Sequence, residues 1–131
     1  MKKIGLVAGA FDLLHPGHLH LLYKAQARCD ELIIALHVDP SIERPSKNKP
    51  VQSVFERYMQ LQHCAYGDEI IPYETERDLE NIITSCDINI RFLGSEYIGL
   101  GKDITGFKTC DIEYIDRRHD WSSTELRNRL K

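Results

Sequence analysis

The sequence lacks a large charge excess, closely spaced cysteines and any long apolar run. A net charge of −3 over 131 residues offers no basic field for a nucleic-acid backbone, so we expect no nucleic-acid partner. The four cysteines are far apart, whereas zinc sites use closely spaced ligand pairs and disulfide-stapled domains are smaller and richer in cysteine. No segment approaches the roughly 18 apolar residues that a membrane-spanning helix needs. We therefore expect a cytoplasmic protein with reduced thiols and no membrane partner.

The chain also lacks internal repeats and low-complexity tracts, and its length suits one domain, so we expect residues 1–131 to form a single unit. Strands are predicted at residues 4–8, 31–38, 69–72, 88–93 and 111–115. Helices are predicted to start at Pro16 and Ser53 and to cover residues 75–86 and 122–130. This alternation predicts a Rossmann-like, doubly wound α/β fold, with a mainly parallel five-stranded sheet and helices on both faces.

The second predicted helix has the signature of a capping box, in which Ser53 caps the helix start and Glu56 returns a hydrogen bond. Its predicted inner face holds Phe55, Tyr58, Met59 and Leu61. The segment before it, residues 40–52, has three prolines, two lysines and no apolar periodicity, which predicts a long loop. Loops of this length in small domains are often functional, and we expect this one to be a mobile lid that orders when substrates bind.

Ligands of parallel α/β sheets bind outside the carboxyl ends of the strands, where the strand order reverses. That edge is predicted to hold residues 9–18, 39–52, 94–107 and 116–124. The first of these segments, GAFDLLHPGH, is neither the GxGxxG motif nor the Walker motif GxxxxGK(S/T). It nevertheless follows a buried strand and opens a helix, which is the setting of many phosphate-binding loops.

This segment has the ingredients of a phosphate site. Gly9 allows a tight turn, and the helix that begins near Pro16 offers N–H groups and the positive end of its dipole. His15 and His18 lie three residues apart at this helix start, so both imidazoles can donate to phosphate oxygens and stabilise charge on a phosphorus under attack. Gly17 between them leaves room for a phosphate. Two alternatives stay open for the histidines: metal ligands, for which no third ligand is obvious, and helix caps.

The segment GAFDLLHPGH resembles the G-T/S-F-D-x-x-H-x-G-H signature of the cytidylyltransferase-like nucleotidyltransferases. Near the other end, Arg117 and WSSTELR at 121–127 are similar to the family's R-x-x-G-I/V-S-S/T-S/T-x-I/L element, which opens the final helix. Between them, FERYMQL at 55–61 is similar to a family helix with E-x-R-x-x-x-L spacing. The resemblance spans nearly the whole chain and is greatest to the small stand-alone glycerol-3-phosphate cytidylyltransferases. It implies that residues 1–131 are one nucleotidyltransferase domain.

The resemblance implies that a CMP unit moves from CTP to a small phosphorylated acceptor, such as glycerol 3-phosphate or a similar polyol or sugar phosphate, with release of pyrophosphate. The implied catalytic residues are His15, His18 and Arg117. The implied nucleotide-binding residues are Gly9, Ala10, Phe11, His15, Gly17, His18, Gly94, Arg117, Trp121, Ser122, Ser123 and Thr124. The implied acceptor-binding residues are Lys47, Lys49 and Arg57. We also expect Mg²⁺ carried by the triphosphate, no metal ligands from the protein, and a homodimer.

Departures from the family pattern leave the acceptor open. Ala10 stands where the family usually has a hydroxyl residue, and Asp120 where it usually has glycine. Residues 94–106 lack the acidic pair and tryptophan of the glycerol-phosphate enzymes, and Leu79 and Glu80 replace their lysine pair. These departures cluster where an acceptor is expected. Two alternatives remain: an adenylyltransferase of the same fold that uses ATP with a sugar phosphate or cofactor precursor, and a nucleotide-binding module without turnover.

Overall fold

The computed structural model describes residues 2–116 and 128–130, apart from the side chain of Lys102. Its strands are β1 (Ile4–Gly9), β2 (Glu31–His37), β3 (Glu69–Tyr73), β4 (Ile90–Gly94) and β5 (Asp111–Ile115). Its α-helices are α1 (Pro16–Gln26), α2 (Val54–Gln62) and α3 (Glu76–Ser85). Every predicted strand and the first three predicted helices are confirmed, with ends that shift by at most two residues. The predicted final helix, 122–130, lies mostly outside the described residues.

The sheet is parallel throughout, with the strand order β3-β2-β1-β4-β5. The order grows outward from β1 through β2 and β3 on one side and through β4 and β5 on the other, so it reverses between β1 and β4. Helices α1 and α2 pack on one face of the sheet and α3 on the other. The predicted Rossmann-like, doubly wound fold is confirmed, and the reversal puts the expected ligand crevice between the ends of β1 and β4.

The core consists of two apolar layers, because successive side chains of a strand point to opposite faces of the sheet. Val7 and Ile34 pack with Leu22 beneath α1 and α2. Leu6 and Ile33, their neighbours in sequence, pack beneath α3. Strands covered on both faces are apolar on both, which explains the continuous apolar runs of β1 and β2.

The inner face of α2 differs from the one that its apolar residues predict. Phe55 and Met59 are predicted to point inward, yet they are 69% and 39% exposed. Arg57 and Leu61 are the buried residues of the helix. The prediction is confirmed for Leu61 and for Tyr58, which packs against the core, and it is wrong for Phe55 and Met59. The helix is rotated because the Arg57 guanidinium finds backbone carbonyl acceptors beneath it, and these hydrogen bonds compensate the burial of its charge. The opposite stripe of the helix is therefore apolar and exposed.

The four cysteines are free thiols, and each is half-buried. Burial raises the pKa of the Cys29 and Cys110 thiols above the ordinary value, so both are protonated and weakly nucleophilic at neutral pH. In the part of the chain that the structure describes, no helix combines the length and the apolar character that crossing a membrane requires.

Candidate active site at the ends of β1 and β4

The loop after β1 reaches the carboxyl edge of the sheet in a strained conformation. Phe11 and Leu13 both have a φ of 51°, in the left-handed region that favours glycine. Phe11 is 5% exposed and packs beneath α1 and α2, and the Leu13 N–H donates to Gln52 Oε1 at 2.8 Å. Packing and this hydrogen bond hold the loop. Backbone conformations of this kind cluster at ligand-binding sites, so the loop is a candidate for one.

His15 and His18 form a hydrogen-bonded, stacked pair at the start of α1. The Gly17 N–H donates to His15 Nδ1 at 3.0 Å, and the His15 N–H donates to His18 Nδ1 at 3.2 Å. The two rings stack with centroids 3.9 Å apart. Because Nδ1 of each ring accepts a hydrogen bond, each neutral imidazole carries its proton on Nε2. The pair therefore supplies two Nε2–H donors in one place, the arrangement that stabilises charge on phosphate oxygens.

The backbone at the start of α1 offers fewer hydrogen bonds to an anion than the sequence predicts. Pro16 has no N–H, the Gly17 N–H donates to His15 Nδ1, and the His18 N–H donates to the His15 carbonyl at 3.0 Å. These donors of the first turn are already engaged. The dipole of the 11-residue helix still favours negative charge at this end. A phosphate here would be bound by imidazole N–H groups, with the backbone contributing a favourable field.

The buried carboxylate of Asp12 fastens the end of the loop between β2 and α2. Its Oδ2 accepts from the Val51 N–H at 2.8 Å, and its Oδ1 accepts from the Gln52 N–H at 2.9 Å. Asp12 is 6% exposed. From the sequence, Asp12 is expected to fix its own turn in preference to meeting Mg²⁺ through water. In the structure its carboxylate joins the histidine loop to the loop before α2.

Arg57 ties together the chain just beyond β1 and β2. Its guanidinium donates to the carbonyls of Ala10 at 3.0 Å, His37 at 2.7 Å and Val38 at 2.6 Å. The residue is 2% exposed, and burial lowers the pKa of the guanidinium while nearby carboxylates oppose that shift. This placement gives Arg57 backbone partners beneath the rim, and its contact with the acceptor stays a prediction. A side chain that is buried under the rim with backbone partners acts as a structural tie.

The remaining predicted site residues fall partly within the described chain. Gly9 and Gly94 end β1 and β4, on the two sides of the crevice. The carboxylate of Glu96, which the sequence analysis did not single out, lies directly over Gly94, where a Cβ would meet it. Lys47 and Lys49 are exposed on the loop between β2 and α2. The predicted residues outside the described chain are Arg117, Trp121, Ser122, Ser123 and Thr124.

Two further polar residues on the α3 face of the sheet also escaped the sequence analysis. His37 stacks on Tyr73 with ring centroids 4.5 Å apart, and burial lowers the pKa of His37. Arg91 is 8% exposed and donates to the Thr105 carbonyl at 2.7 Å. Its Nε has no hydrogen-bond partner among the described residues. Arg91 interrupts the otherwise apolar strand β4, and His37 ends the apolar run of β2; these polar residues beside apolar runs are the signal by which they could have been found.

Comparison with known proteins gives the chain a family. The family model described as cytidylyltransferase-like matches residues 6–129. The bifunctional protein HldE of Acidiphilium cryptum (strain JF-5) is 35% identical over 96 residues, which cover 72% of this chain and 20% of the relative. HldE of Rhodopseudomonas palustris (strain TIE-1) is 30% identical over 128 residues, which cover 95% of this chain and 26% of the relative. The chain thus spans about a fifth to a quarter of the length of these curated relatives.

Solved structures share the fold. The lipopolysaccharide core biosynthesis protein from Thermoplasma volcanium GSS1 matches 91% of this chain and 100% of its own, with a TM-score of 0.73 and 22% identity. The pantoate-beta-alanine ligase from Francisella tularensis matches 96% of this chain and 68% of its own, with a TM-score of 0.54 and 17% identity. At these identities the likeness shows the fold alone. The family model, which covers nearly the whole chain, decides the matter: the chain belongs to the cytidylyltransferase-like family of nucleotidyltransferases.

Proposed function

We propose that the chain transfers a CMP unit from CTP to a small phosphorylated acceptor, glycerol 3-phosphate or a similar polyol or sugar phosphate, and releases pyrophosphate. The observation that carries the proposal is the hydrogen-bonded, stacked pair of His15 and His18 at the start of α1, whose Nδ1 atoms both accept backbone N–H groups. This helix follows β1, one of the two strands between which the strand order reverses, and such reversals are where parallel α/β sheets bind ligands. Membership of the family supports the same class of reaction.

In the proposed reaction an acceptor phosphate oxygen attacks the α-phosphorus of the nucleotide. A new P–O bond forms at the α-phosphorus while the bond between that phosphorus and the oxygen bridging to the β-phosphate breaks. Pyrophosphate takes the electron pair of the broken bond and leaves opposite the attacking oxygen. No enzyme nucleophile is required, because positioning and charge stabilisation accelerate such transfers. His15 and His18 donate to the α-phosphate and bridging oxygens as negative charge builds up on them. Arg117 and the hydroxyls of residues 122–124 are proposed to hold the β- and γ-phosphates.

Magnesium is proposed to arrive on the triphosphate, whose oxygens supply most of its ligands and whose charge it neutralises. Among the described residues, no group of three or more His, Cys, Asp or Glu side chains is arranged to hold a metal ion. The Asp12 carboxylate, which lies on the histidine loop, already accepts backbone N–H groups on both oxygens.

The choice of nucleotide is tested by thermal unfolding with Mg²⁺ and each of the four nucleoside triphosphates. All four share the triphosphate, so only contacts with the base separate them, and we expect CTP to raise the melting temperature most. A ligand at about 100 times its Kd stabilises a protein by roughly 2.7 kcal/mol, which a melting curve resolves. A rise in melting temperature with ATP and none with CTP would favour the adenylyltransferase. A rise in melting temperature without pyrophosphate release in the presence of any phosphorylated acceptor would favour the nucleotide-binding module without turnover.

Lys47 and Lys49 are proposed to fold over the substrates with the loop between β2 and α2 and to neutralise the acceptor phosphate. This loop is anchored at Asp12 and, through an ion pair between Arg44 and Glu76, at the start of α3. The residues between the anchors are exposed, which suits a segment that closes over ligands. We expect trypsin to cleave after Lys47 more slowly when CTP and acceptor are both present, whereas Pro50 protects the bond after Lys49 in every case. Equal cleavage with and without ligands would count against a lid.

A homodimer is proposed on the exposed apolar stripe that α2 forms with Val51, three residues before the helix. Val51, Phe55 and Met59 are spaced four residues apart and are 67%, 69% and 39% exposed. Two-fold association is the commonest way in which such a surface is covered. We expect light scattering to give about 30 kDa, twice the 15.2 kDa of the chain, and Phe55→Glu to give a monomer. A wild-type mass of 15.2 kDa at micromolar protein would reject the dimer.

A further inference from the structure

A cavity of about 460 Å³ lies between α3 and residues 103–109, the segment that leads into β5. Glu76 and Glu80 line it from the helix, and Thr105 and Thr109 line it from the facing segment. The residues of the histidine motif take no part in its lining. The volume is within the range of small-molecule sites and is large enough for a sugar.

The two glutamates and two threonines form matching pairs along the cavity. Thr105 Oγ1 donates to Glu76 Oε2 at 3.1 Å, and Thr109 Oγ1 donates to Glu80 Oε1. Glu76 and Glu80 are one helical turn apart, so they lie on the same side of α3. Each carboxylate oxygen can accept more than one hydrogen bond, and an aliphatic hydroxyl is the donor that polyols and sugars offer. The threonines therefore already make the contact that a hydroxyl-bearing ligand would make.

The charges around the cavity nearly balance. Three carboxylates line it, those of Glu76, Glu80 and Asp103. Two cationic side chains line it, those of Arg77 and Lys108, and Arg44 pairs with Glu76 from the neighbouring loop. The carboxylate oxygens can accept hydrogen bonds from neutral hydroxyl donors.

The cavity is joined to the loop that carries the proposed phosphate ligands. Arg44 of this loop forms an ion pair with Glu76. The Lys47 N–H donates to the Arg44 carbonyl at 2.8 Å, so Lys47 lies one turn from the residue that is paired with the cavity wall. The loop that carries Lys47 is therefore linked to the cavity wall through Arg44.

Arg91 supports the same wall from inside the protein. It is 8% exposed, and it fixes the Thr105 backbone by donating to its carbonyl at 2.7 Å. The carboxylate of Glu76 is among the groups that oppose the lowering of the Arg91 pKa by burial, so the two charges attract one another. Arg91 therefore interacts with both residues of the Glu76–Thr105 pair from the side of the sheet.

We propose that this cavity binds the hydroxyl-bearing part of the acceptor, and that the carboxylates of Glu76 and Glu80 determine which acceptors are used. They accept hydrogen bonds from the acceptor hydroxyls, while the phosphate stays outside the cavity near the loop. The inference rests on the proposed function, which supplies the phosphorylated acceptor. The ligand class is a polyol or sugar phosphate, in contrast to a phosphate ester that has no hydroxyl group.

Two matched variants separate recognition from structural support. Glu80→Gln removes the carboxylate charge with little change in shape, and Thr109→Val removes the hydroxyl that bonds to it. We expect Glu80→Gln to raise the KM of glycerol 3-phosphate or glucose 1-phosphate roughly 10- to 150-fold, with kcat, the nucleotide KM and the KM of methyl phosphate unchanged. The exposed control Glu69→Gln should keep the wild-type KM, and Thr109→Val, which frees a Glu80 oxygen for the ligand, should not raise the KM. If Glu80 only held the facing segment, Thr109→Val would raise the KM as much as Glu80→Gln, and the inference would be overturned.

A binding measurement that needs no turnover separates this inference from the proposed function. Saturation-transfer NMR with glycerol 3-phosphate and glucose 1-phosphate should show contact of their C–H protons with the wild type and with Glu69→Gln, and a strong loss with Glu80→Gln. Absence of pyrophosphate release from every nucleotide and acceptor would contradict the proposed function, and the NMR experiment would still test the cavity. No contact with the wild type, or equal contact with Glu80→Gln, would overturn the inference.

Discussion

Two arginines are buried on opposite faces of the sheet, and they are bonded very differently. Arg57 is 2% exposed and donates to three carbonyls that lie at or just beyond the ends of β1 and β2. Arg91 is 8% exposed, and its one hydrogen bond within the described residues goes to the Thr105 carbonyl. Its Nε has no partner there. Most N–H groups of the Arg57 guanidinium therefore have acceptors among the described residues, whereas most of those of Arg91 do not.

The two arginines belong to regions that differ in how fully their polar groups are hydrogen-bonded. Around Arg57, Asp12 and the histidine pair, donors and acceptors are paired with one another or with the backbone, which fixes the histidine loop before any ligand arrives. On the Arg91 side, the buried guanidinium lies behind Thr105, and the carboxylates of Glu76, Glu80 and Asp103 line a cavity. The histidine region is suited to the transfer reaction, which is the same for every acceptor. The cavity on the Arg91 side is suited to selecting among acceptors.

Arg57→Met should have the largest effect on stability. It removes the donor to several buried carbonyls, each of which costs about 1–3 kcal/mol when unsatisfied, so we expect the free energy of unfolding to fall by about 3–5 kcal/mol. Urea unfolding followed by circular dichroism measures the loss. Arg28→Met is the matched control, because it removes an exposed arginine whose ion pair contributes little. A loss below about 1 kcal/mol would show that Arg57 is not a structural tie.

His18→Ala should have the largest effect on turnover. Removing one donor to a charged transition state typically costs about 100- to 1000-fold in rate, roughly 2.7–4 kcal/mol. The variant also loses the His18 half of the capping box, which we expect to cost about 1 kcal/mol of stability. Pyrophosphate release and thermal unfolding measure the two effects separately, with the exposed His63→Ala as control. A variant that keeps more than about a tenth of the wild-type rate would remove His18 from the mechanism.

Arg91→Met tests the other side of the comparison and should change stability little. The variant loses one hydrogen bond but also removes a poorly paired buried charge, and apolar replacement of buried charges is often neutral or stabilising. We expect the free energy of unfolding to change by less than about 1 kcal/mol in either direction. Urea unfolding beside Arg57→Met gives the contrast directly. A loss as large as that of Arg57→Met would erase the distinction between the two regions.

Structural features that depend on residues close together in the sequence could be predicted from the sequence. The capping box of α2 is confirmed, with the Glu56 N–H donating to Ser53 Oγ at 3.1 Å and the Ser53 N–H to Glu56 Oε1 at 2.8 Å. The rotation of α2 could not be predicted in this way. It depends on Arg57 and on carbonyls 19 to 47 residues earlier in the chain, which only the folded sheet brings within reach.

The candidate site shows the same division. The spacing of His15 and His18 correctly predicts that the two rings come together. The sequence treats helix capping and phosphate binding as alternatives, but the structure makes them compatible, since Nδ1 of each ring caps the helix and Nε2 carries the proton. The cavity escaped prediction because its walls, α3 and residues 103–109, are separated in sequence and meet only in the fold.

His37 belongs to both regions, and its ring offers the smallest of the predicted effects. Its carbonyl accepts from Arg57, while its ring stacks on Tyr73 on the α3 face and its Nε2 lies 3.2 Å from the Glu74 carbonyl. The residue is 5% exposed, and burial lowers the pKa of the imidazole below its ordinary value of 6.5. The carboxylates of Glu76 and Glu43 oppose this shift without cancelling it, and Arg44 adds to it.

This lowered pKa makes the α3 side slightly sensitive to acid. The folded protein binds a proton at His37 less readily than the unfolded chain, so the unfolded state gains protons first as the pH falls. The contribution of His37 to stability is therefore complete above the unfolded pKa of about 6.5 and is lost as the pH falls toward the folded value. Melting temperatures between about pH 5 and pH 8 should fall more for the wild type than for His37→Gln, which does not titrate in this range. The lowered pKa of Asp39 acts only at lower pH, near its ordinary value of 3.8, and does not confuse the comparison. Parallel profiles for the two proteins would show that burial of the His37 ring does not disfavour its charged form, and that the α3 side is more open to water than its exposure indicates.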